Sequence, residues 1–264
     1  MEDPRAIIAR ETMHYRQVIA IGIATALNAL DGFDVLSISF ASPGIAKDWG
    51  IDRAALGLVL SMELFGMGVG AFLLGAMADR IGRRPTILAC LVVMALGMFA
   101  ASTAHNVPEL SAFRLFTGFG IGGMLAATNA IVAECSNARR RNLTVAIMAG
   151  GYPMGAIVGG SVASLLLART GHWQSVFEFG AVATICFVPL VLWMVPETIA
   201  FLLHKRPADA LARINRTMVR QGRSPLNALP EPEIASGRGR ASPTCSRRAS
   251  RPSPCCSRSP ISRT

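Results

Sequence analysis

The sequence predicts an all-α membrane protein, a six-transmembrane-helix bundle with both termini cytoplasmic. Three observations predict it. Of 264 residues, 52% are hydrophobic and only 16% are charged, with a mean hydropathy of +0.43, whereas a soluble globular domain carries about 25% charged residues. Six apolar segments come close to the ~20 residues that a helix needs to cross a bilayer. The clusters of Lys and Arg fall on every second connection, which is the bias of cytoplasmic loops.

Residues 1–16 hold Arg5, Arg10 and Arg16. They lack the compact basic-then-apolar start and small-residue cleavage site of a signal peptide, so they are expected as a cytoplasmic N-terminus. The first helix is expected over roughly Gln17–Ser42, with Pro43 at its outer end, and the second over roughly Ala54–Ala76. Lys47 and Arg53 are the only basic residues between them, and Arg80, Arg83 and Arg84 follow helix two. Helices three and four are expected over roughly Thr86–Ala104 and Leu110–Ala133, with no Lys or Arg between them and Arg139, Arg140 and Arg141 after them. Helices five and six are expected over roughly Leu143–Leu167 and Val176–Val195, with Arg169 between them and Lys205, Arg206, Arg213, Arg216 and Arg220 beyond. Dropping any one helix breaks the alternation. The connections are short, so neighbouring helices run antiparallel, and the bundle is assigned to residues 17–198.

Residues 199–235 read as a cytoplasmic segment. Leu211, Ile214 and Met218 fall at i, i+3 and i+7 with arginines interleaved, which suits a helix lying on an anionic leaflet and suits a solvated loop helix equally well. Residues 236–264 change character to Ser, Arg, Pro and Cys, with Ile261 the one aliphatic residue larger than alanine. Such a stretch cannot bury a core and is expected to be disordered. Its seven arginines, with no acid, account for most of the net charge of +10. It has no aromatic residue on which bases could stack, and nucleic acid is not expected as a partner. A shifted frame of high-GC codons can encode an apolar run suited to a seventh helix, so the tail is expected to be a frameshifted product on a truncated chain. Cys90, Cys135 and Cys186 are isolated in or beside apolar segments, where a free Cys acts as a small apolar residue, and no spacing suggests disulfides or a metal site.

Helix two runs into "GAMADRIGRRP", where Gly75, Asp79, Arg80, Gly82, Arg83 and Arg84 crowd a very short turn. Helix four carries "RLFTGFGIGG", with Arg114, Gly118 and Gly122 at four-residue spacing, followed by "AECSNARRRN"; helix five carries "GGYPMGAIVGG" and helix six ends in "PET". Together these segments resemble the signatures of the major facilitator superfamily of secondary transporters, over about residues 16–220. "LDGFD" in helix one is the narrowest match and looks like the aromatic acid:proton symporter branch. The resemblance implies the N-terminal half of a major facilitator fold, in which two six-helix bundles enclose a central site. It also implies a cytoplasmic latch at Gly75, Asp79, Arg80, Gly82, Arg83 and Arg84, residues whose charge equally fits positive-inside anchoring. "GFGIGG" also contains G-x-G-x-x-G, but a dinucleotide fold requires a preceding strand. Gly118 and Gly122 instead sit inside an apolar span, where small residues let membrane helices approach closely.

Charges inside the membrane carry the chemistry. A carboxylate at a helix centre costs about 2.5–3.5 kcal/mol on insertion scales. Asp31 and Asp34 are three apart and share one face. Counting back from Pro43 at about 1.5 Å per residue puts them about 18 Å and 13 Å from the outer end, with Glu63 about 13 Å deep from Ala54. Arg114 enters from the same side, so one depth band can hold all four. Asp31 and Asp34 fit a proton and substrate pathway or a structural pair satisfied by Arg114 or backbone groups. Arg114 fits an anion site, an Asp partner or an interfacial anchor. Glu63 fits the pathway or a polar helix contact, and Glu134, at the cytoplasmic end of helix four, fits a gate or a solvated partner of nearby arginines. The expected function is proton-coupled uptake of organic, chiefly aromatic, acid anions by alternating access at the bacterial inner membrane. The alternatives are a transport-inactive fragment and a six-helix module acting as a homodimer or scaffold. The expected partners are a small organic acid, a proton, the lipid bilayer and, in the last alternative, a second copy. No catalytic residues, cofactor or metal are expected.

Overall fold

The computed structural model describes residues 13–195 together with Leu211 and Asn215, which are both helical. Every described residue belongs to one compact unit, Met1–Pro230. Residues 1–12, the Pro196–Thr198 exit, most of the expected amphipathic segment and the tail over 236–264 lie outside the described residues.

Six helices account for nearly all of the described chain: α1 (Tyr15–Trp49), α2 (Arg53–Ile81), α3 (Arg83–Ser102), α4 (Val107–Cys135), α5 (Arg141–Thr170) and α6 (Gln174–Met194). Each is long and apolar enough to cross a membrane. The ends carry recognisable caps. His14 and Gln17 form a reciprocal capping box at α1, and the Asn106 side chain accepts the Glu109 amide at 2.9 Å to start α4, satisfying amides that a helix start leaves without partners. Gly50 and Gly171 close α1 and α5 in the left-handed conformation. A single residue, Gly82 at φ 121 and ψ 156, separates α2 from α3; only glycine adopts that backbone readily.

One expectation needs correction: Pro43 does not end the first helix. The helix continues through it to Trp49. Proline removes the amide that the Ser39 carbonyl would accept, and Ser42 Oγ donates to that carbonyl at 2.8 Å instead. Hydroxyl repair of this kind lets membrane helices keep an internal proline. Counted from Trp49, Asp31 and Asp34 lie about 27 Å and 22 Å from the helix end, at about 1.5 Å per residue.

Packing is tightest between α2 and α4 and between α1 and α5, with α3 against α4 and α6, and α1 also touching α4 and α6. Glycines bring the first two pairs together. A Cβ on Gly66 or Gly70 would collide with the backbone of Leu115 or Phe119, and a Cβ on Gly118 or Gly122 with that of Glu63 or Met67. Between α1 and α5, Gly32 abuts the Tyr152 carbonyl, Gly151 that of Thr25 and Gly155 that of Ala29. The interior has two main apolar clusters. One gathers Leu27, Leu74, Leu91, Met94, Ile121 and Met124; the other gathers Ile38, Val59, Met98, Leu110, Trp173 and Phe177. The exterior is apolar as well, with Phe72 79% and Trp193 93% exposed, as expected of a surface that faces hydrocarbon rather than water.

Candidate functional site

A polar layer lies between the two apolar clusters. Along α1, Asp31 and Asp34 fall between Leu27 and Ile38; on α2, Glu63 falls between Val59 and Leu74; on α4, Arg114 falls between Leu110 and Ile121. All four side chains are enclosed by the described helices: Asp31 and Glu63 are 1% exposed, Asp34 and Arg114 0%.

Arg114 is the hub. Its Nη2 donates to Glu63 Oε2 at 2.5 Å and to the Asp34 main-chain carbonyl at 2.8 Å, and its Nη1 donates to Met98 Sδ at 3.2 Å. Its guanidinium carbon lies 5.5 Å from the centroid of the Phe177 ring, within cation–π range. Arg114 therefore meets a helix-two glutamate through its carboxylate and a helix-one aspartate through its backbone. The Asp34 carbonyl also accepts from Ser37 Oγ at 2.6 Å. Both carboxylate oxygens of Asp31 and of Asp34, Glu63 Oε1 and Arg114 Nε have no hydrogen-bond partner. Asp34 Oδ1 is seated over α6, 3.3 Å from where a Cβ on Gly180 would stand. Tyr152 on α5 lies within electrostatic reach of Asp31 and Glu63.

Glycine spacing on α2 and α4 makes this meeting geometrically available. The carbonyl that a Cβ on Gly118 would strike belongs to Glu63 itself, and Gly118 sits one turn along from Arg114. The space beside Gly32 is filled by the Tyr152 carbonyl, and Gly75 faces α4, where its Cβ would stand 3.3 Å from that of Ala126.

The opposite group of predicted residues gathers where α1 begins and α2 ends. Arg83, at the start of α3, bonds Asp79 near the end of α2 and reaches Glu134 Oε1 on α4 at 3.2 Å. Arg84 donates to the Leu192 main-chain carbonyl on α6, and Gln17 donates to the Cys135 carbonyl at 3.0 Å. Gly82 supplies the turn, and Arg80 is exposed beside it. This end thus ties α1, α2, α3, α4 and α6 through side chains. At the other end of the bundle Trp173 Nε1 donates to Asp48 Oδ2 at 2.9 Å, and Trp49 and Phe177 pack edge-on against Trp173. Among the described residues no group of His, Cys, Asp and Glu is disposed to hold a metal ion.

Sequence reasoning missed Met98, Phe177, Gly180 and Tyr152 as neighbours of the charged layer. Tyr152 stood in the glycine-rich "GGYPMG" run, which marks α5 as a close-packing helix and so its neighbours as candidates. Met98 and Phe177 carry no local signal, because any apolar residue at their positions would look the same.

The family model described as Major Facilitator Superfamily matches residues 22–244. A gallate transporter of Pseudomonas putida is 36% identical over 183 residues, 69% of this chain and 40% of that protein. The 4-hydroxybenzoate transporter PcaK of Acinetobacter baylyi is 33% identical over 228 residues, 84% of this chain and 49% of that protein. The 3-(3-hydroxy-phenyl)propionate transporter of Escherichia coli is 30% identical over 221 residues, 84% of this chain and 51% of that protein. Among solved structures, the proton:xylose symporter XylE bound to 6-bromo-6-deoxy-D-glucose superposes with a TM-score of 0.68 at 19% identity, over 77% of this chain and 50% of that one; at that identity the likeness concerns the fold. The chain spans about half the length of the curated relatives it matches.

Proposed function

Since this chain belongs to the major facilitator superfamily, we propose that its six helices form one bundle of a secondary transporter that takes up aromatic acid anions together with protons. "LDGFD" on α1 resembles the aromatic acid:proton symporter branch, and the basic turn after α2 resembles the superfamily's loop signature. The relatives are transporters of gallate, 4-hydroxybenzoate and hydroxyphenylpropionate, and all three of those compounds carry a carboxylate and an aromatic ring. The observation that carries the proposal is the buried layer itself, with one guanidinium beside three carboxyls, all at or below 1% exposure. Ionisable residues held at membrane depth mark ion and substrate paths.

In the proposed cycle a helix-one aspartate, Asp31 or Asp34, receives a proton from outside, and Arg114 helps to hold the substrate carboxylate. The bundle then rocks against a second bundle, and both species leave on the cytoplasmic side. Asp79, Arg83 and Glu134 act as the latch that holds one conformation at that side. The bacterial inner membrane is the proposed location, with both termini cytoplasmic. The test is uptake of labelled 4-hydroxybenzoate by cells that lack their own carrier, expressing this chain alone or together with the second half of PcaK. Uptake that rises as external pH falls, and that is lost in Asp31→Asn, is expected. No uptake in either arrangement, or uptake indifferent to Asp31→Asn, overturns the proposal. Uptake by the chain alone, with crosslinked pairs in the membrane, would instead support a homodimer.

A further inference from the structure

We propose that Trp173 is a positioning residue for the acid site: anchored to α1 by Asp48, it holds the Phe177 ring over which the Arg114 guanidinium lies, and so sets the plane in which Arg114 presents its N–H groups to a substrate carboxylate. The inference rests on the acid-transport proposal and adds a control that acts from the end of the bundle, away from the charged layer.

Three observations carry it. First, Trp173 is an unusual way to start a helix. It stands at the cap position of α6, where Ser, Thr, Asp or Asn is preferred, and its side chain makes no cap bond. The residue is instead 1% exposed and turned to α1. Its Nε1 donates to Asp48 Oδ2 at 2.9 Å, and Trp49 packs edge-on with ring centroids 5.4 Å apart. Gly44 leaves room for it, since a Cβ there would stand 3.0 Å from that of Trp173.

Second, the contact continues inward. Trp173 and Phe177 are four residues apart at the start of α6, the spacing that brings side chains together on one helix face. Their centroids are 5.9 Å apart and their planes at 83°, the edge-to-face arrangement that aromatic rings favour. Phe177 is wholly buried, and the Arg114 guanidinium carbon lies 5.5 Å from its centroid. Two aromatic contacts and one hydrogen bond thus join the exposed Asp48 to a cation with no exposure of its own.

Third, Phe177 is the Arg114 contact for which an anion does not compete. Glu63, the Asp34 carbonyl and Met98 all take N–H groups at the edge of the guanidinium plane. A carboxylate must use that same edge, in a planar fork of parallel N–H···O bonds. Phe177 takes the face and leaves the donors alone. A ring that fixes the plane therefore decides how well an incoming carboxylate meets the fork, and Trp173 fixes the ring.

The test measures benzoate binding to the full chain in lipid nanodiscs by calorimetry, which separates affinity from the number of competent sites. Asp48→Leu removes the acceptor, and Trp173→Phe keeps a ring but loses the N–H. Each should weaken benzoate by about 3- to 10-fold, the scale of one hydrogen bond or one edge-on contact, at unchanged stoichiometry. Asp48→Asn keeps a carbonyl acceptor and should stay within about twofold of the wild type. Asp48→Leu with Trp173→Phe should be no weaker than either alone, because both cut one bond. Added to Phe177→Leu, Asp48→Leu should cost nothing further, because the path to Arg114 is already broken. A second readout is optical. A chain in which Trp49→Phe and Trp193→Phe leave Trp173 as the one tryptophan should change its emission when benzoate binds, and Phe177→Leu should abolish that change. Wild-type affinity in both Asp48→Leu and Trp173→Phe overturns the inference. So does a lower stoichiometry at unchanged affinity, which marks a role in folding alone, and so does an Asp48→Leu effect that persists beside Phe177→Leu. Where a variant does not fold, the optical readout decides, and Trp173 emission indifferent to bound benzoate overturns the inference while sparing acid recognition. A wild type that binds no benzoate overturns the transport proposal and this inference with it.

Discussion

Removing Arg114 should destabilise the bundle far more than removing Glu63, although they are bonded to each other. Consider Arg114→Met, Glu63→Leu and the double variant. Arg114→Met leaves the Glu63 carboxylate buried with no cation and takes a donor from the Asp34 carbonyl. Breaking one side of a buried ion pair costs about 3–5 kcal/mol, and an abandoned carbonyl about 1–3 kcal/mol more. The Asp34 carbonyl keeps Ser37 as a donor, so the lower end of the second term applies, and the expected total is about 5 kcal/mol. Glu63→Leu leaves a cation instead, but that cation keeps the Asp34 carbonyl and has the Asp34 carboxylate within electrostatic reach. A substitute partner should hold the loss to about 1.5–3 kcal/mol, the scale of one charged hydrogen bond. The double variant strands no member of the pair and should lose less than Arg114→Met alone, because apolar replacement of a buried pair is often close to neutral.

The assay is unfolding of the purified chain in mixed micelles as the fraction of denaturing detergent is raised, followed by fluorescence of Trp173, which is buried against Trp49 and Phe177. The two single losses combined should exceed that of the double variant by about 2 kcal/mol or more, a coupling typical of residues in direct contact. Additivity within about 0.5 kcal/mol, or an Arg114→Met loss smaller than that of Glu63→Leu, would refute the assignment of Arg114 as the hub of the layer.

Two further outcomes follow from the backbone. Gly118→Leu should force α4 away from α2, since the atom in its way is the Glu63 carbonyl; thermal unfolding in detergent should show a loss at or above the ~1–3 kcal/mol typical of overpacking, and a near-neutral result would contradict the close approach. Gly82→Ala should cost about 1–3 kcal/mol, because φ 121 is a backbone conformation that side-chain-bearing residues rarely adopt; a fully stable variant in the same assay would contradict the one-residue turn.

The spans were legible because a bilayer imposes a length on apolar sequence, and each expected helix overlaps an observed one. Their ends were less so. Arg53, Arg83 and Arg141 begin helices that the apolar pattern starts a few residues later, since a backbone can stay helical beyond the point where its side chains stop being apolar. Pro43 misled for a chemical reason: proline signals a missing amide, while the hydroxyl that serves the orphaned carbonyl stands beside it as an unremarkable serine. In the charged layer, residue types and depth were readable but pairings were not. Whether Arg114 meets the carboxylate of Asp34 or of Glu63 depends on which helix comes closer to α4. That distance is set by Gly66 and Gly70 on α2 answering Gly118 and Gly122 on α4, a complementarity between two helices that neither segment reveals by itself.

How polar groups are satisfied elsewhere sets this layer apart. The buried hydroxyls of Thr117, Thr128 and Thr184 each donate to the carbonyl four residues back in their own helix. Such bonds are local, survive small shifts between helices and ask nothing of a neighbour. In the layer the pattern reverses. Arg114 is held by three other helices, while both carboxylate oxygens of Asp31 and of Asp34 and one of Glu63 find no donor. A fold selected only for stability would have no use for this arrangement, because apolar residues of similar size would pack between the two apolar clusters without unpaired charge. The helix-to-helix bonds of Arg114 are also the ones that relative motion of α1, α2 and α4 would break first. The layer therefore joins unpaired carboxyl oxygens to a cation whose bonds run to three other helices, the two features on which the proposed transport of an anion with a proton rests.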